Sequence, residues 1–378
     1  MSSFAQQELA RVSPELLSIH TPGRRAPGPT ATELCRRALA EPVQGPPLAA
    51  VATGARRIAV VVSDETRDEP RREMLDALRE ILPWDRVTLV VAAGTHQATA
   101  RAVPPEHRDR PVVVHGADSR VVDLGRTPRG TRIRLNAAVA EADLVVATGR
   151  VRPHYFAGFS AGAKAIFPGV ALAEDALDNH RLKADPSAML GRVDDNLCRL
   201  DMEAAASAVP GATCLLDVLC DVEGTPVAAA AGDLVAAHRA LVPLALDVFS
   251  VRAPRSPVVV VADRPPVSSS LYQASKLVPP AGALLQDGGV VILVADLDRG
   301  TGPLERVNRG IFELGVRHQL PPRHRVLLVS RLADEVARCT YAEPRASLCA
   351  ALDEALAATG ARRAVALWRA GELLSVPQ

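Results

Sequence analysis

The chain has 378 residues with 44 basic and 43 acidic side chains, a formal net charge of +1. That balance offers no electrostatic footprint for nucleic acid or an anionic membrane surface, and 3% aromatic residues argues against base-stacking platforms. Hydrophobic content of 48% and charged content of 23% exclude a disordered chain, and the length suits two globular domains.

Residues 1–50 are rich in Pro, Ala and Arg; they predict one helix over 32–39 and a surface-wrapping path. A β/α rhythm follows. Apolar runs predict buried strands over 57–63, 87–93, 112–115 and 144–148, and apolar spacing predicts a helix over 69–82. Residues 149–190 break the rhythm with a Gly-rich stretch. Helices are expected over 189–209 and 234–251 around a strand over 214–222. A second series then predicts strands over 258–262, 290–295, 326–330 and 364–368, with helices over 271–285 and 348–358. The expected fold is α/β: two α/β domains with mostly parallel sheets and the active site in the cleft between them. Pro and Arg near 252–256 set the boundary: residues 1–252 form an N-terminal catalytic and cofactor-binding domain and residues 253–378 a C-terminal domain, whose last residues are allowed to return to the first.

The six cysteines are widely spaced and form no C-x-x-C pair, a usage that fits a reducing compartment. The chain starts with no basic segment leading into an apolar one, and no apolar run reaches the roughly 18 residues of a membrane span. A cytoplasmic protein is expected. Only three basic residues are lysines, Lys164, Lys183 and Lys276. Guanidinium stays protonated and cannot act as a nucleophilic amine, so a lysine kept in an arginine-using chain draws notice. Lys164 stands in an apolar Gly-rich segment. Lys183, in a charged stretch, reads as a chance survivor of the bias.

Polar clusters fall at expected strand ends, where open α/β sheets collect ligands. These are Asp64 to Arg67, Gly94 to His96, and Gly149 to His154. Taken singly, Asp64 and Thr66 would cap a helix and His96 would be a turn residue. Gly158, Ser160 and Gly162 would let backbone N–H groups approach an anion, although neither a Walker loop nor G-x-G-x-x-G is present. His96, His154 and His180 are, by residue type, either a tris-histidine metal site or a division into acid/base residues and one ligand. Tyr272, Gln273 and Lys276 would share one helix face and offer a cation and an amide to a carboxylate.

Taken together, these blocks resemble the lactate racemase family, the 2-hydroxyacid racemases and epimerases that use a nickel-pincer nucleotide. The blocks are D-x-T-R (Asp64 to Arg67), G-T-H (Gly94 to His96), H-Y-F-A-G-F-S-x-G-A-K-A-I-x-P-G (His154 to Gly169), N-H (Asn179, His180) and L-Y-Q-A-x-K (Leu271 to Lys276). The resemblance implies that Lys164 holds the cofactor through a thioamide and that His180 completes the nickel coordination. It implies His96 and His154 as the two acid/base residues. Arg67, Gln273 and Lys276 would bind the substrate, with Phe156 and Tyr272 on the pyridinium ring. Ser160 and Gly162 would lie near the nucleotide phosphate, and Asp64 among the cofactor-binding residues. Implied partners are a small 2-hydroxyacid and the enzymes that make the cofactor, with no nucleic acid and no membrane. Other readings are a histidine-ligated zinc hydrolase or lyase, and a non-catalytic hydroxyacid- or cofactor-binding protein. One departure is Asp68-Glu69 after Arg67, where the family often has proline directly. Two acids there would favour a polyhydroxy or neutral-tailed acid over a dicarboxylate.

Overall fold

Residues 3–94 and 98–378 are described by a computed structural model. Thr95, His96 and Gln97 lie outside the described residues, so the expected acid/base residue His96 is not placed.

Two six-stranded sheets organise the chain. In the first, the strand order is Pro226–Gly232, Ala212–Cys220, Leu144–Val151, Ile58–Ser63, Val87–Ala92, Val112–Val114. All neighbours are parallel except the edge strand Pro226–Gly232. The second runs Leu17–His20, Ala364–Trp368, Ser256–Ala262, Leu285–Val294, His324–Val329, Glu343–Arg345, and is wholly parallel. The valine runs explain this choice. A parallel sheet is covered on both faces, so its strands are apolar at every position. Leu144–Val151 is buried throughout. Successive side chains point to opposite faces, so Val61 and Val259 join one apolar cluster that takes in both sheets, while Val60 and Val258 face separate cores.

The helices end where local chemistry stops them. Thr30 caps Ala31–Ala40 reciprocally with Glu33, and Gly360 (φ +67°) ends Leu348–Thr359 in the left-handed conformation. The expected helix over 189–209 is only Leu197–Ala206, because the Asn196 side chain accepts the Arg199 N–H and starts it there. The expected helix over 271–285 is one turn, Leu271–Ala274, followed by short tight turns; Pro279 and Pro280 forbid its continuation. The N-terminal residues do more than wrap the surface. Helix Phe4–Ala10 precedes the strand Leu17–His20, which is the edge of the second sheet and pairs with Ala364–Trp368. At the other end, Leu374–Pro377 pairs with Ser250–Ala253.

The first sheet positions the site. From Ile58–Ser63 the chain moves outward to Val87–Ala92 and Val112–Val114, then returns to the opposite side of Ile58–Ser63 as Leu144–Val151. This reversal opens a crevice at the carboxyl ends of the central strands. No helix of the described residues is long and apolar enough to cross a membrane.

Candidate active site

A cavity of about 230 Å³ opens at that reversal. Ser63, Asp64 and Arg67 reach it from the end of the first central strand, and Thr148, Gly149, Arg150 and Arg152 from the second. His154, Phe156, Ser160 and Lys164 come from the Gly-rich segment, His180 and Lys183 from the following helix, and Tyr272 and Lys276 from the turn after Ser256–Ala262.

Phe156, 2% exposed, is the hub. His154 meets its ring edge-on at 4.7 Å between centroids and His180 at 5.0 Å. The Nζ atoms of Lys164 and Lys183 lie 5.5 and 5.4 Å from the ring centroid. The loop carrying Phe156 is held by Asn196, whose amide donates to the Phe156 carbonyl at 2.7 Å. Gly158 makes the turn (φ +73°), and any Cβ there would sit 2.0 Å from the Arg192 carbonyl oxygen.

Behind the loop lies a buried polar layer. Arg199 donates to the Phe159 carbonyl at 3.0 Å and pairs with Glu203 at 2.8 Å, and His238 meets the Ser160 carbonyl at 2.9 Å. Gly162 (φ +63°) leaves no room for a Cβ, which would meet Arg199 at 2.5 Å. Its N–H donates to Asp217 at 2.9 Å, and the Ser160 hydroxyl donates to the Arg150 carbonyl at 2.7 Å. In this arrangement both expected phosphate-contacting groups fasten the Gly-rich turn to the sheet.

The two imidazoles are differentiated. His180 Nδ1 is bonded to the Ala176 carbonyl, which leaves Nε2 as its outward lone pair. Burial, then the Lys183 charge, push its pKa down to about 3, so the ring is a neutral donor. His154 Nδ1 accepts the Ala157 N–H at 3.3 Å, leaving Nε2 without a partner among the described residues. Burial and the Lys164 charge hold its pKa well below the usual histidine value. Asn179, by contrast, is fully buried, and its amide donates to Asp201 at 2.9 Å and anchors the helix.

The amines differ from surface lysines as well. Burial pushes Lys164 down to about 7, with Arg199 adding repulsion. Its Nζ has no hydrogen-bond partner among the described residues. Lys276 is also pushed down to about 7, by burial and by Arg67. It donates to Gln273 Oε1 at 2.7 Å, and its Nζ lies 4.8 Å from the Tyr272 ring. Arg67 pairs with Asp64 at 3.5 Å, while Asp64 also accepts the Thr66 N–H at 2.8 Å. Asp68 pairs with Arg150 at 3.4 Å, and Glu69 is buried against Arg71 at 2.9 Å. The cavity thus carries a surplus of cations.

Residues 5–191 match the lactate racemase N-terminal domain. The chain is 31% identical to the lactate racemase of Thermoanaerobacterium thermosaccharolyticum, over 71% of this chain and 67% of that protein. It belongs to the lactate racemase family. It is 30% identical to the lactate racemase of Lactiplantibacillus plantarum over the same shares. Its fold matches that of the lactate racemase apoprotein from T. thermosaccharolyticum with a TM-score of 0.85 at 24% identity, covering 97% of this chain and 96% of that one. A Thermotoga maritima protein shares the fold with a TM-score of 0.68 at 15% identity, covering 94% of this chain and all of that one. Family membership makes the chain a racemase, an isomerase, with an α/β fold.

Of the residues singled out in the sequence, Asp64, Arg67, His154, Phe156, Ser160, Lys164, His180, Tyr272 and Lys276 line this one cavity, and Gln273 lies beside it, bonded to Lys276. Gly162 is set behind it. Among the described residues no group of three or more His, Cys, Asp or Glu could hold a metal ion, so His154 and His180 do not converge on a third such ligand there. Lys183 was misread: it is 6% exposed, lines the cavity and donates to the Gly310 carbonyl of helix Arg306–Val316 at 2.7 Å. The rarity of lysine that drew attention to Lys164 applied to it equally. Arg152 and Tyr155 also line the cavity; both stand inside blocks singled out in the sequence, where neither was given a role. Tyr341 donates to Ser275 at 2.8 Å and stacks on Phe312 at 4.0 Å between centroids.

Proposed function

We propose that this racemase inverts C2 of a 2-hydroxyacid by moving the hydroxyl proton and the C2 hydrogen, the latter as hydride, with a nickel-pincer nucleotide held covalently. The observation that carries the reading is the arrangement around Phe156: an unpartnered amine, an imidazole presenting Nε2, and a second neutral imidazole. The residues fit such a group. Lys164 near neutrality offers the free amine a covalent tether needs, and His180, fixed through Nδ1, offers the lone pair a metal needs. Phe156 and Tyr272 would flank the ring. When bound, the group supplies an electron-poor ring able to accept and return the C2 hydrogen as hydride.

The rest belongs to the chain. Arg67 and Lys276 bind the substrate carboxylate and so fix C2. Gln273 orients the Lys276 ammonium through Oε1. His154, neutral because of burial and nearby cations, takes the hydroxyl proton of one enantiomer at Nε2 in the tautomer that carries its hydrogen on Nδ1, which requires the 3.3 Å Ala157 N–H contact to give way. The resemblance assigns the same task toward the other enantiomer to His96. Inversion requires a planar keto acid to present its other face, and two bases serve the two faces without moving the carboxylate. Dedicated biosynthetic enzymes would supply the cofactor, and the site would be closed by Tyr272 and Lys276 from the second half of the chain.

The test is protein co-produced with the cofactor-making enzymes, examined by intact mass and nickel analysis and then given single enantiomers of 2-hydroxyacids. The reading expects an adduct on Lys164, stoichiometric nickel and loss of optical rotation. A chain that takes up neither adduct nor nickel overturns it.

A further inference from the structure

A second cavity, of about 470 Å³, adjoins the first and shares Arg67, Asp68, Arg152, His154, Tyr155 and Lys276 with it. The substrate clamp therefore stands at the junction of two spaces. A substrate whose C2 carries only a methyl group would leave the second space to water.

Besides the clamp residues, that space is lined by further cations. Arg264 and Arg299 line it, both exposed, and neither guanidinium has a hydrogen-bond or ion-pair partner among the described residues. Arg369 lines it too, at 6% exposure, and its buried Nε has no hydrogen-bond partner. Its backbone sits at φ +66°, a conformation a non-glycine residue keeps only where its surroundings impose it. The acids of the wall are already engaged. Asp263 lies 3.7 Å from Arg369, Glu372 pairs with Arg150 and Arg152 at 3.2 and 3.3 Å, and Asp68 pairs with Arg150 at 3.4 Å. Of the two acids after Arg67, Glu69 is buried against Arg71 and Asp68 is paired through one oxygen with Arg150, so among the described residues the unpaired side-chain charges of this space outside the clamp are the cations Arg264 and Arg299.

We infer that the second cavity is a subsite for the tail of the substrate, and that the tail carries a second anionic group, a carboxylate or a phosphate, received by Arg264 and Arg299. The inference rests on the 2-hydroxyacid reading above and narrows its substrate class. Arg67 and Lys276 hold the carboxylate next to C2, and the outer arginines hold the far anion. Cation–anion contacts at both ends orient C2 more tightly than one clamp.

The test uses the whole chain, with and without the cofactor loaded. Calorimetry compares 2-hydroxyglutarate with 2-hydroxypentanoate, which has the same carbon count and an uncharged tail; 3-phosphoglycerate forms the phosphate arm. At least one dianion is expected to bind about tenfold more tightly than 2-hydroxypentanoate, and the tighter of the two identifies the tail group. In R264M/R299M that preference falls to about twofold or less. Equal or tighter binding of 2-hydroxypentanoate, or a preference that survives R264M/R299M, overturns the subsite. Enantiomer inversion by loaded protein is read separately: dianion preference without inversion upholds the subsite and removes the racemase mechanism.

Discussion

Lys164 and Lys183 direct their ammonium groups at one ring, with Nζ atoms 5.5 and 5.4 Å from the centroid of Phe156. Lys276 completes the set from the second half of the chain, so all three lysines of the sequence line one cavity. Burial pushes them down to about 7, 8 and 7 respectively, with Arg199 adding repulsion at Lys164, and Arg67 and the other two lysines adding it at Lys276. An amine in that range is substantially neutral near pH 7, which a guanidinium never is. The protein has placed its few adjustable cations where a change of protonation state has use.

The first prediction follows for Lys164. In K164R, positive charge is kept and the nucleophilic amine is lost. Intact mass should show no cofactor adduct, and racemisation should fall at least about a thousandfold, because loss of a covalently held group removes the reaction rather than weakening it. Adduct on K164R would place the tether elsewhere.

Stability should depend on pH in a particular direction. The folded lysines titrate near 7 to 8, against 10.5 for an ordinary lysine. Between those values the unfolded chain binds more protons than the folded one, so stability rises with pH across the window. Below about pH 7 both states are protonated and the penalty is fully present. Urea midpoints at about pH 7 and pH 9.5 should therefore rise for the parent relative to K164M/K183M/K276M; parallel pH dependences would contradict the burial of these charges.

For Lys276 the same shift predicts a kinetic signature. A carboxylate clamp works only when charged, and Lys276 loses its proton above about 7. KM for a 2-hydroxyacid should climb as pH rises past that value, approaching about tenfold per pH unit, with kcat changing less. In K276R the climb should vanish, because the guanidinium stays protonated, although poorer geometry should lower kcat/KM throughout. A KM flat from pH 7 to 9 in the parent would mean that Lys276 does not hold the carboxylate.

Gly158 offers a purely structural check. Alanine there meets both a positive φ of +73° and a carbonyl oxygen 2.0 Å from its Cβ. G158A should lose about 3 kcal/mol or more of stability, read by chemical denaturation, and disorder the loop that carries Phe156. An unchanged midpoint would mean that the loop relaxes freely.

The strands were legible because parallel sheets need unbroken apolar runs, and segments such as IAVVVS supply them at the right length. The site was legible where a residue type has no substitute: Lys164 for an amine, His154 and His180 for neutral nitrogen donors. What stayed hidden depends on contacts far apart in sequence. Leu17–His20 is a strand because Ala364–Trp368 pairs with it near the other end of the chain. Lys183 looked solvated because its neighbours are charged, yet helix Arg306–Val316 buries it through the Gly310 carbonyl. The short turn Leu271–Ala274 keeps Gln273 and Lys276 together without the long helix their spacing suggested.

The central claim is that C2 is inverted by hydride movement, and one measurement reads it directly. Loaded enzyme is given a single enantiomer of a 2-hydroxyacid deuterated at C2, in ordinary water, and the product enantiomer is isolated and weighed by mass spectrometry. Hydrogen that leaves and returns as hydride does not mix with solvent, so the inverted product should keep its deuterium. Inverted product that has exchanged deuterium for hydrogen would mean that C2 is deprotonated instead, and the account built on Lys164, His154 and His180 would be wrong.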